Sequence, residues 1–300
     1  MLIGEGNGIR VFVVDAGQLR LDGGAMFGVV PRSLWSRKIA PDERNRIPLA
    51  MRCLLIETPD GHVLVDSGVG NKEDAKFSDI YGIENGGNPT RLEDSLRSLD
   101  VEPGDIGWVV STHLHFDHAG GNTVRSDAGL VQPAFQRARY VIRRGEWEIA
   151  HSDNLRIRAS YLGANFDPLD ERGLIDLVDE DVEIVPGVRL VSMPGHTADH
   201  QGVLVDLGEE TLCYLADLVP TAAHVQLPWI MAYDLEPLVT LAEKERWLTR
   251  AGEEGWLLVF EHDPVIGAAR ARPAARGPGC ELAEVFEQPI EGSIRHTRGE

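Results

Sequence analysis

The stretch STHLHFDHAGGN, residues 111–122, places three histidines and one aspartate within six consecutive positions, 113–118. The whole chain of 300 residues has only ten histidines, so the ordered pattern HxHxDH is expected by chance in roughly one such chain in a thousand. Imidazole and carboxylate together suit Zn²⁺ or a similar divalent ion. Because no cysteine belongs to the set, the pattern favours an open catalytic metal site over a closed structural one.

The spacing within this cluster predicts two neighbouring metal positions. In an extended segment His113 and His115 project to the same side, because side chains alternate with a period of two, so both imidazoles can share one ion. Asp117 and His118 follow where the chain is expected to turn into a helix, and we expect them to point at a second position a short distance away.

Other metal-ligand side chains follow apolar runs that read as buried strands. Taken alone, a histidine after a strand is usually a loop residue and an aspartate there is usually a turn or cap residue. Five strand ends that carry such side chains make one convergent site the better interpretation. Besides the cluster, they are His196 after VRLVSMPG, Asp217 after TLCYLA, His262 after WLLVFE and Asp66 after HVLV.

The order of predicted elements indicates the fold class. Strands and hairpins open each half of the chain, and helices follow, as in residues 90–99 and 235–248, so we expect an α/β protein with two sheets face to face and helices outside. Thr90 and Glu93 form a predicted capping box at the start of the first of these helices. The Ala/Arg/Pro/Gly-rich residues 268–279 predict a loop, and residues 125–181 an insertion over the site.

Composition limits the classes of function. Hydrophobic residues make up 43% and charged residues 26%, as in an ordinary globular protein. The formal net charge of −19 repels phosphate backbones, so we expect no nucleic-acid partner. No run approaches ~18 apolar residues, so we expect no membrane span. The start lacks a basic leader, and Cys53, Cys213 and Cys280 form no CxxC pair, which favours a reduced, cytoplasmic location.

At this point the ligand pattern resembles the metallo-β-lactamase superfamily over residues 9–263. The resemblance implies an αββα sandwich of two mixed β-sheets, within a single hydrolase domain spanning residues 1–300. It also implies two divalent metal ions, with Zn²⁺ as the default and Fe, Co or Mn fitting the same ligands. The implied first site is His113, His115 and His196; the second is Asp117, His118 and His262; Asp217 bridges them, and Asp66 hydrogen-bonds a ligand histidine or its loop.

Longer runs resemble bacterial quorum-quenching lactonases of the YtnP type. The runs are DGGAMFGVVPRSLW (22–35), STHLHFDHAGGN (111–122), ADLVPTAAHVQLPWIMAYD (216–234) and HD (262–263). The resemblance implies opening of N-acyl homoserine lactones by a metal-bridging hydroxide. One departure leaves an alternative open: related lactonases carry a tyrosine shortly after the bridging aspartate, where this chain has Leu218, Val219 and Pro220, and AAHVQ resembles a branch that hydrolyses organophosphate triesters.

The resemblance and the chemistry together suggest catalytic roles. Asp117 can hydrogen-bond the attacking hydroxide and carry a proton to the leaving alkoxide, and His224 or Tyr233 can supply the missing donor. The alternative for both is packing against or lining a wall of the site. Three further alternatives are less consistent with the sequence. A thioesterase would need a cluster of basic residues, and a di-iron redox protein would need a flavin domain; neither is apparent. A metal-binding module without activity would be expected to lack some of the ligands, whereas this chain has the full set.

Large apolar groups in segments punctuated by glycine and proline predict a substrate pocket for an acyl chain, although core packing explains most such residues. The acidic surface favours a small neutral ester or lactone over an anionic substrate. The apolar segment 26–35 is either a wall of this pocket or a contact in a homodimer. The predicted pocket residues are Met26, Phe27, Trp35, Phe116 and Trp229.

Overall fold

A computed structural model of the protein describes residues 1–126 and 128–291. The predicted domain 1–300 therefore ends in residues outside the described ones, and its single-domain organisation stays a prediction. The helices are α1 (Gly23–Phe27), α2 (Arg32–Trp35), α3 (Ala75–Tyr81), α4 (Arg91–Arg97), α5 (Phe116–Ala119), α6 (Arg144–Ala150), α7 (Asp167–Asp170) and α8 (Pro237–Glu254). The strands are β1 (Leu2–Gly6), β2 (Ile9–Asp22), β3 (Arg46–Thr58), β4 (Gly61–Val65), β5 (Ile106–Val110), β6 (Thr123–Arg125), β7 (Val131–Pro133), β8 (Arg139–Arg143), β9 (Ile175–Val178), β10 (Val182–Val185), β11 (Val188–Ser192), β12 (Gln201–Asp206), β13 (Thr211–Tyr214), β14 (Leu257–Val259), β15 (Ile266–Pro273) and β16 (Cys280–Glu287).

Two large mixed sheets form the centre of the described part of the chain. The first has the strand order β1-β2-β3-β4-β5-β8-β9, and the second runs β10 to β16 in chain order. Each sheet combines antiparallel hairpins with parallel pairs, β4 with β5 in the first and β13 with β14 in the second. The similar order in both halves confirms the repeated outline that the sequence predicts.

Alternation along the strands creates the layers. On β3, Leu54 and Ile56 belong to the core between the sheets, together with Leu190 and Val203 of the second sheet. The alternate residues Cys53 and Leu55 point to the opposite face of the sheet, toward the outer core. Because successive residues of a strand face opposite sides, a fully apolar strand such as β3 is buried on both faces.

Helices cover the two outer faces and complete the αββα sandwich, which confirms the predicted fold class. Leu92 and Leu96 of α4 are buried in the outer core of the first sheet. Thr90 and Glu93 form the predicted capping box at the start of α4. Trp247 and Leu248 of α8 pack on the second sheet.

The prediction of a loop over residues 268–279 is wrong in its first half. Residues up to Pro273 belong to β15, which pairs with β14 and β16. Ala268, Ala269 and Ala271 are buried, and the last two share a core with Ala251 of α8. Small side chains let a helix approach the strand closely, so tertiary packing overrides the weak strand propensity of this segment.

Residues 125–181 are not simply an insertion. β8 and β9 extend the first sheet through parallel pairing with β5 and with each other. Between them, Arg156, Ile157 and Ser160 reach the cavity described below. The predicted covering of the site is therefore confined to a short part of this stretch.

The strand directions bring the predicted site residues to one edge. The parallel pairs β4–β5 and β13–β14 end at this edge, and β11 runs in the same direction as β13, because both are antiparallel to β12. Side chains that follow these strand ends therefore meet. None of the helices in residues 1–126 and 128–291 has the length and apolar character needed to cross a bilayer.

Candidate metal centre and pocket

Four of the predicted ligands converge as a first group. The ligand atoms of His113, His115, His196 and Asp217 all lie within 4.8 Å of one another. Nδ1 of His115 is 3.0 Å from Nε2 of His113 and 3.1 Å from Nε2 of His196. Oδ2 of Asp217 lies 3.1 Å from Nε2 of His196. Three nitrogens and one carboxylate oxygen thus surround a single point.

Asp117, His118 and His262 form a second group beside the first, again with ligand atoms within 4.8 Å of one another. The Nε2 atoms of the two histidines are 3.1 Å apart, and Oδ2 of Asp117 is 3.9 Å from Nε2 of His262. The carboxylate of Asp217 faces this group too, with Oδ1 3.2 Å from Nε2 of His262 and Oδ2 3.6 Å from Nε2 of His118. Asp217 therefore stands between the two groups, in the position of a bridging ligand.

Unusual backbone conformations aim several of these side chains. Asp66 and Ala216, which precedes Asp217, have positive φ angles of 57° and 43°. Gly195, before His196, has φ 131°, and a Cβ atom there would lie 2.4 Å from Oγ1 of Thr240. Such conformations cost roughly 1–3 kcal/mol each for residues other than glycine and tend to cluster at functional sites.

Hydrogen bonds fix the orientation of four of the histidine rings. A neutral imidazole has one N–H and one lone pair, so a ring whose Nδ1 donates outward directs the lone pair of Nε2 into the centre. The Nδ1 partners are Thr112 Oγ1 for His113 at 3.1 Å, Asp66 Oδ2 for His118 at 3.1 Å, Asp234 Oδ1 for His196 at 2.9 Å and Ala50 O for His262 at 2.7 Å.

This donor set fits divalent cations. The nitrogens face one another with lone pairs that repel unless a cation lies between them, and Oδ1 of Asp217 is buried without a hydrogen-bond donor among the described residues. Burial and the neighbouring histidines hold the pKa of His113 and His115 well below its usual value, so both stay neutral. Burial raises the pKa of Asp217, but His196 and His118 outweigh it and hold that pKa well below the usual range.

A cavity of about 310 Å³ opens above the two groups, with five of the predicted ligands in its floor. Of the predicted pocket residues, Met26 and Phe116 line it, as does Tyr233, which is 38% exposed. The cavity therefore has ionisable side chains at its floor and largely apolar walls, as small-molecule sites usually do. The wall residues that the sequence did not single out include Leu21, Tyr81, Arg156, Ile157, Met231 and Leu235.

Phe27, Trp35 and Trp229 do not line this cavity, which corrects their prediction as pocket residues. Phe27 stacks on Trp35 with ring centroids 5.5 Å apart and meets Trp229 edge-on at 5.6 Å. Its other face stacks on His224 at 4.6 Å. Stacking and burial place Phe27 and Trp35 in the core, and the partly buried Trp229 packs against it.

His224 does not fit the catalytic role predicted for it. Its Nε2 donates to the carbonyl oxygen of Met26 at 2.8 Å, and its Nδ1 lies 2.8 Å from Oγ1 of Thr221. Burial, aided by the charge of Lys244, lowers its pKa to about 3. A neutral ring with both nitrogens occupied has no proton to offer a substrate, so His224 supports the segment that carries Met26.

Three buried acids take part in the site although no sequence pattern singles them out. Asp234 bonds His196, as described above. Glu146 accepts hydrogen bonds from the amide of Leu114 at 2.9 Å and from the hydroxyls of Tyr161 and Thr197 at 2.7 and 2.6 Å. Glu261 lies 3.1 Å from Nδ1 of His118. The only sequence signal for such residues is an acid where burial is expected, as in VFEHD (259–263).

Comparisons with known proteins agree with this geometry. The family model described as metallo-beta-lactamase superfamily matches residues 48–262. An N-acyl homoserine lactonase of Bacillus cereus is 29% identical over 214 residues, which cover 69% of this chain and 74% of that protein. A crystal structure of a probable metal-dependent hydrolase from Staphylococcus aureus is 30% identical, with a TM-score of 0.84 over 95% of this chain and 100% of that one. AidC, a dizinc quorum-quenching lactonase in complex with a product, has a TM-score of 0.76 at 17% identity, covering 95% and 98% of the two chains, and shares the fold.

Proposed function

The chain belongs to the metallo-β-lactamase superfamily and is a hydrolase, and from this premise we propose that it opens the ring of N-acyl homoserine lactones at a dinuclear metal centre. The observation that carries the proposal is the carboxylate of Asp217, which lies within 3.2 Å of His196 on one side and His262 on the other. It stands in the floor of a cavity with apolar walls. A lactone with an acyl chain has both the polar head and the apolar tail that such a cavity accepts.

The residues assigned to the metals are those of the two groups. The first ion would be held by His113, His115 and His196, the second by Asp117, His118 and His262, and Asp217 would bridge them. Two divalent ions, with Zn²⁺ as the default, lower the pKa of water toward neutrality and polarise a carbonyl group.

The chain's own groups then bind the substrate and move the proton. Asp117 lies at the cavity floor, 7% exposed, where its carboxylate can take a proton from the attacking water and pass it to the leaving alkoxide. Phe116 and Met26 line the cavity beside it and exclude bulk water from the acyl side. Without the carboxylate of Asp117, the leaving alkoxide would have to take its proton from solvent.

Tyr233 is the remaining candidate for a hydrogen-bond donor to the leaving oxygen, because His224 is occupied elsewhere. Burial and the charges of Asp22, Tyr81 and Asp117 raise its pKa, so the phenol keeps its proton at neutral pH. It would replace the tyrosine that related lactonases carry near the bridging aspartate, where Leu218 and Val219 are buried in this chain.

We expect Tyr233→Phe to lower kcat for lactone opening by about 10²-fold while KM changes little, because general-acid assistance acts mainly in the transition state. Steady-state kinetics on protein with measured metal content would show this. Tyr81 lines the same cavity, so Tyr81→Phe is the informative comparison. If Tyr81→Phe carries the loss and Tyr233→Phe does not, the donor is Tyr81.

A paired assay tests the proposed substrate. Metal-replete protein should turn over N-acyl homoserine lactones of several chain lengths faster than an aryl phosphotriester, because the cavity offers apolar walls to an acyl chain beside the proposed metal centre. Inert lactones together with rapid triester hydrolysis would overturn the lactonase proposal in favour of the organophosphate alternative. A cytoplasmic location and a homodimer stay predictions.

A further inference from the structure

Glu261 is an acid in the core of the protein that the proposed mechanism does not use. Its side chain is fully buried, and its Oε1 atom has no hydrogen-bond partner among the described residues. Its Oε2 atom lies 3.1 Å from Nδ1 of His118. A buried carboxylate with an unsatisfied oxygen costs free energy, so its presence calls for an explanation beyond packing.

His118 is held by carboxylates from two sides. Oδ2 of Asp66 lies 3.1 Å from the same Nδ1 atom that Glu261 approaches. Asp66 comes from the end of a strand in the first sheet, and Glu261 from the segment after β14 in the second. Among the five predicted histidine ligands, only His118 has two carboxylates of the described residues at its Nδ1 atom, each 3.1 Å away.

The surroundings of Glu261 keep it in this position. Oη of Tyr214 lies 2.6 Å from Oε2 of Glu261 and 2.7 Å from the carbonyl oxygen of Arg52. The guanidinium of Arg52 in turn donates to the carbonyl oxygens of Phe260 and Glu261 at 3.3 and 3.4 Å. Backbone and side chain of Glu261 are therefore both fixed, and its Oε2 atom remains directed at His118.

We propose that Glu261 is a positioning residue that acts with Asp66 on His118 and makes the second group retain its metal ion more tightly than the first group does. This inference rests on the proposed dinuclear centre. Around the second ion the chain places the carboxylates of Asp117 and Asp217 and, through His118, those of Asp66 and Glu261. Around the first ion it places Asp217 and, through His196, Asp234. An imidazole that donates to carboxylates is a stronger metal ligand, and more negative charge nearby favours the cation further.

The test is the binding of Zn²⁺ and of Co²⁺ to metal-free protein, measured by chelator competition and visible absorption. Glu261→Gln keeps an acceptor for His118 but removes the charge. It should weaken the tighter of the two binding steps by about 10–100-fold and leave the weaker step unchanged. The matched control is Asp234→Asn, which makes the same charge change beside His196 and should weaken only the weaker step. The melting temperature of metal-free Glu261→Gln should equal or exceed that of the wild type, because the variant removes a buried carboxyl group whose Oε1 atom has no hydrogen-bond donor among the described residues.

The outcomes separate the inference from the proposed centre. Unchanged affinities in Glu261→Gln, or a loss confined to the weaker step, would overturn the role of Glu261 while the centre stands. A fall in both affinities together with a lower melting temperature of the metal-free protein would show that Glu261 is only a structural residue. A wild-type protein that binds fewer than two ions would overturn the dinuclear centre, and the inference with it.

Discussion

Asp217→Asn is expected to reduce lactone turnover by at least ~10³-fold, because metal ions supply several kcal/mol of transition-state stabilisation. The carboxylate of Asp217 faces both groups of ligands, so its loss should weaken the binding of both proposed ions at once. An amide is neutral and offers a single oxygen. Steady-state kinetics and elemental analysis of the purified variant would show low turnover and less than two ions per chain.

The control for this variant is Asp60→Asn. Asp60 lies exposed in the turn between β3 and β4, so the same chemical change there should leave turnover and metal content as in the wild type. Circular dichroism should show that Asp217→Asn is folded, because the lost carboxylate is not part of the core packing. Wild-type turnover in a folded Asp217→Asn would contradict a bridging role for this residue.

Asp117→Asn is expected to separate metal binding from turnover. Its Oδ2 atom lies 3.9–4.0 Å from the Nε2 atoms of His262 and His118, and the side chain reaches the cavity. Two histidines and Asp217 remain for the second ion, so most metal should be retained. Turnover should fall about 10²–10⁴-fold, because an amide cannot take a proton from water and return it to the leaving oxygen.

Metal content, KM and kcat of Asp117→Asn distinguish the roles of this residue. Retained metal with low kcat is the expected result. Low metal content with kcat restored by added Zn²⁺ would show that Asp117 is only a ligand, and normal kcat would show that it carries no proton.

Much of the fold could be predicted because local rules act strongly in this chain. The capping box of α4 was predicted from neighbours in sequence and forms as expected, and the apolar strand β3 and the turn that follows it depend on equally local patterns. β15 did not follow this logic. Its alanines form a strand only because β14, β16 and α8 surround it, and the local sequence does not predict these long-range contacts.

The candidate site likewise has some features that the sequence predicts and others that it does not. The HxHxDH cluster and the ligand types after strand ends are visible in the sequence, because metal chemistry demands particular side chains and parallel strands end at one edge. The sequence did not distinguish Met26, which lines the cavity, from Phe27, which stacks against His224 in the core. The side chains of neighbouring residues point in different directions, and only the packed structure decides which one faces the cavity and which one faces the core.

The sequence by itself therefore determined the αββα class and the types of side chain that follow the strand ends, which are the residues proposed as metal ligands. The tertiary structure alone decided which acids stand behind them, Asp234 at His196 and Glu261 beside Asp66 at His118. It also gave both nitrogens of His224 hydrogen-bond partners, Thr221 and the carbonyl oxygen of Met26, which speaks against the predicted role of His224 as a donor. The physical reason is that a ligand's type is fixed by its own chemistry, whereas its hydrogen-bond partners come from elements up to 212 residues away along the chain, as Ala50 does for His262.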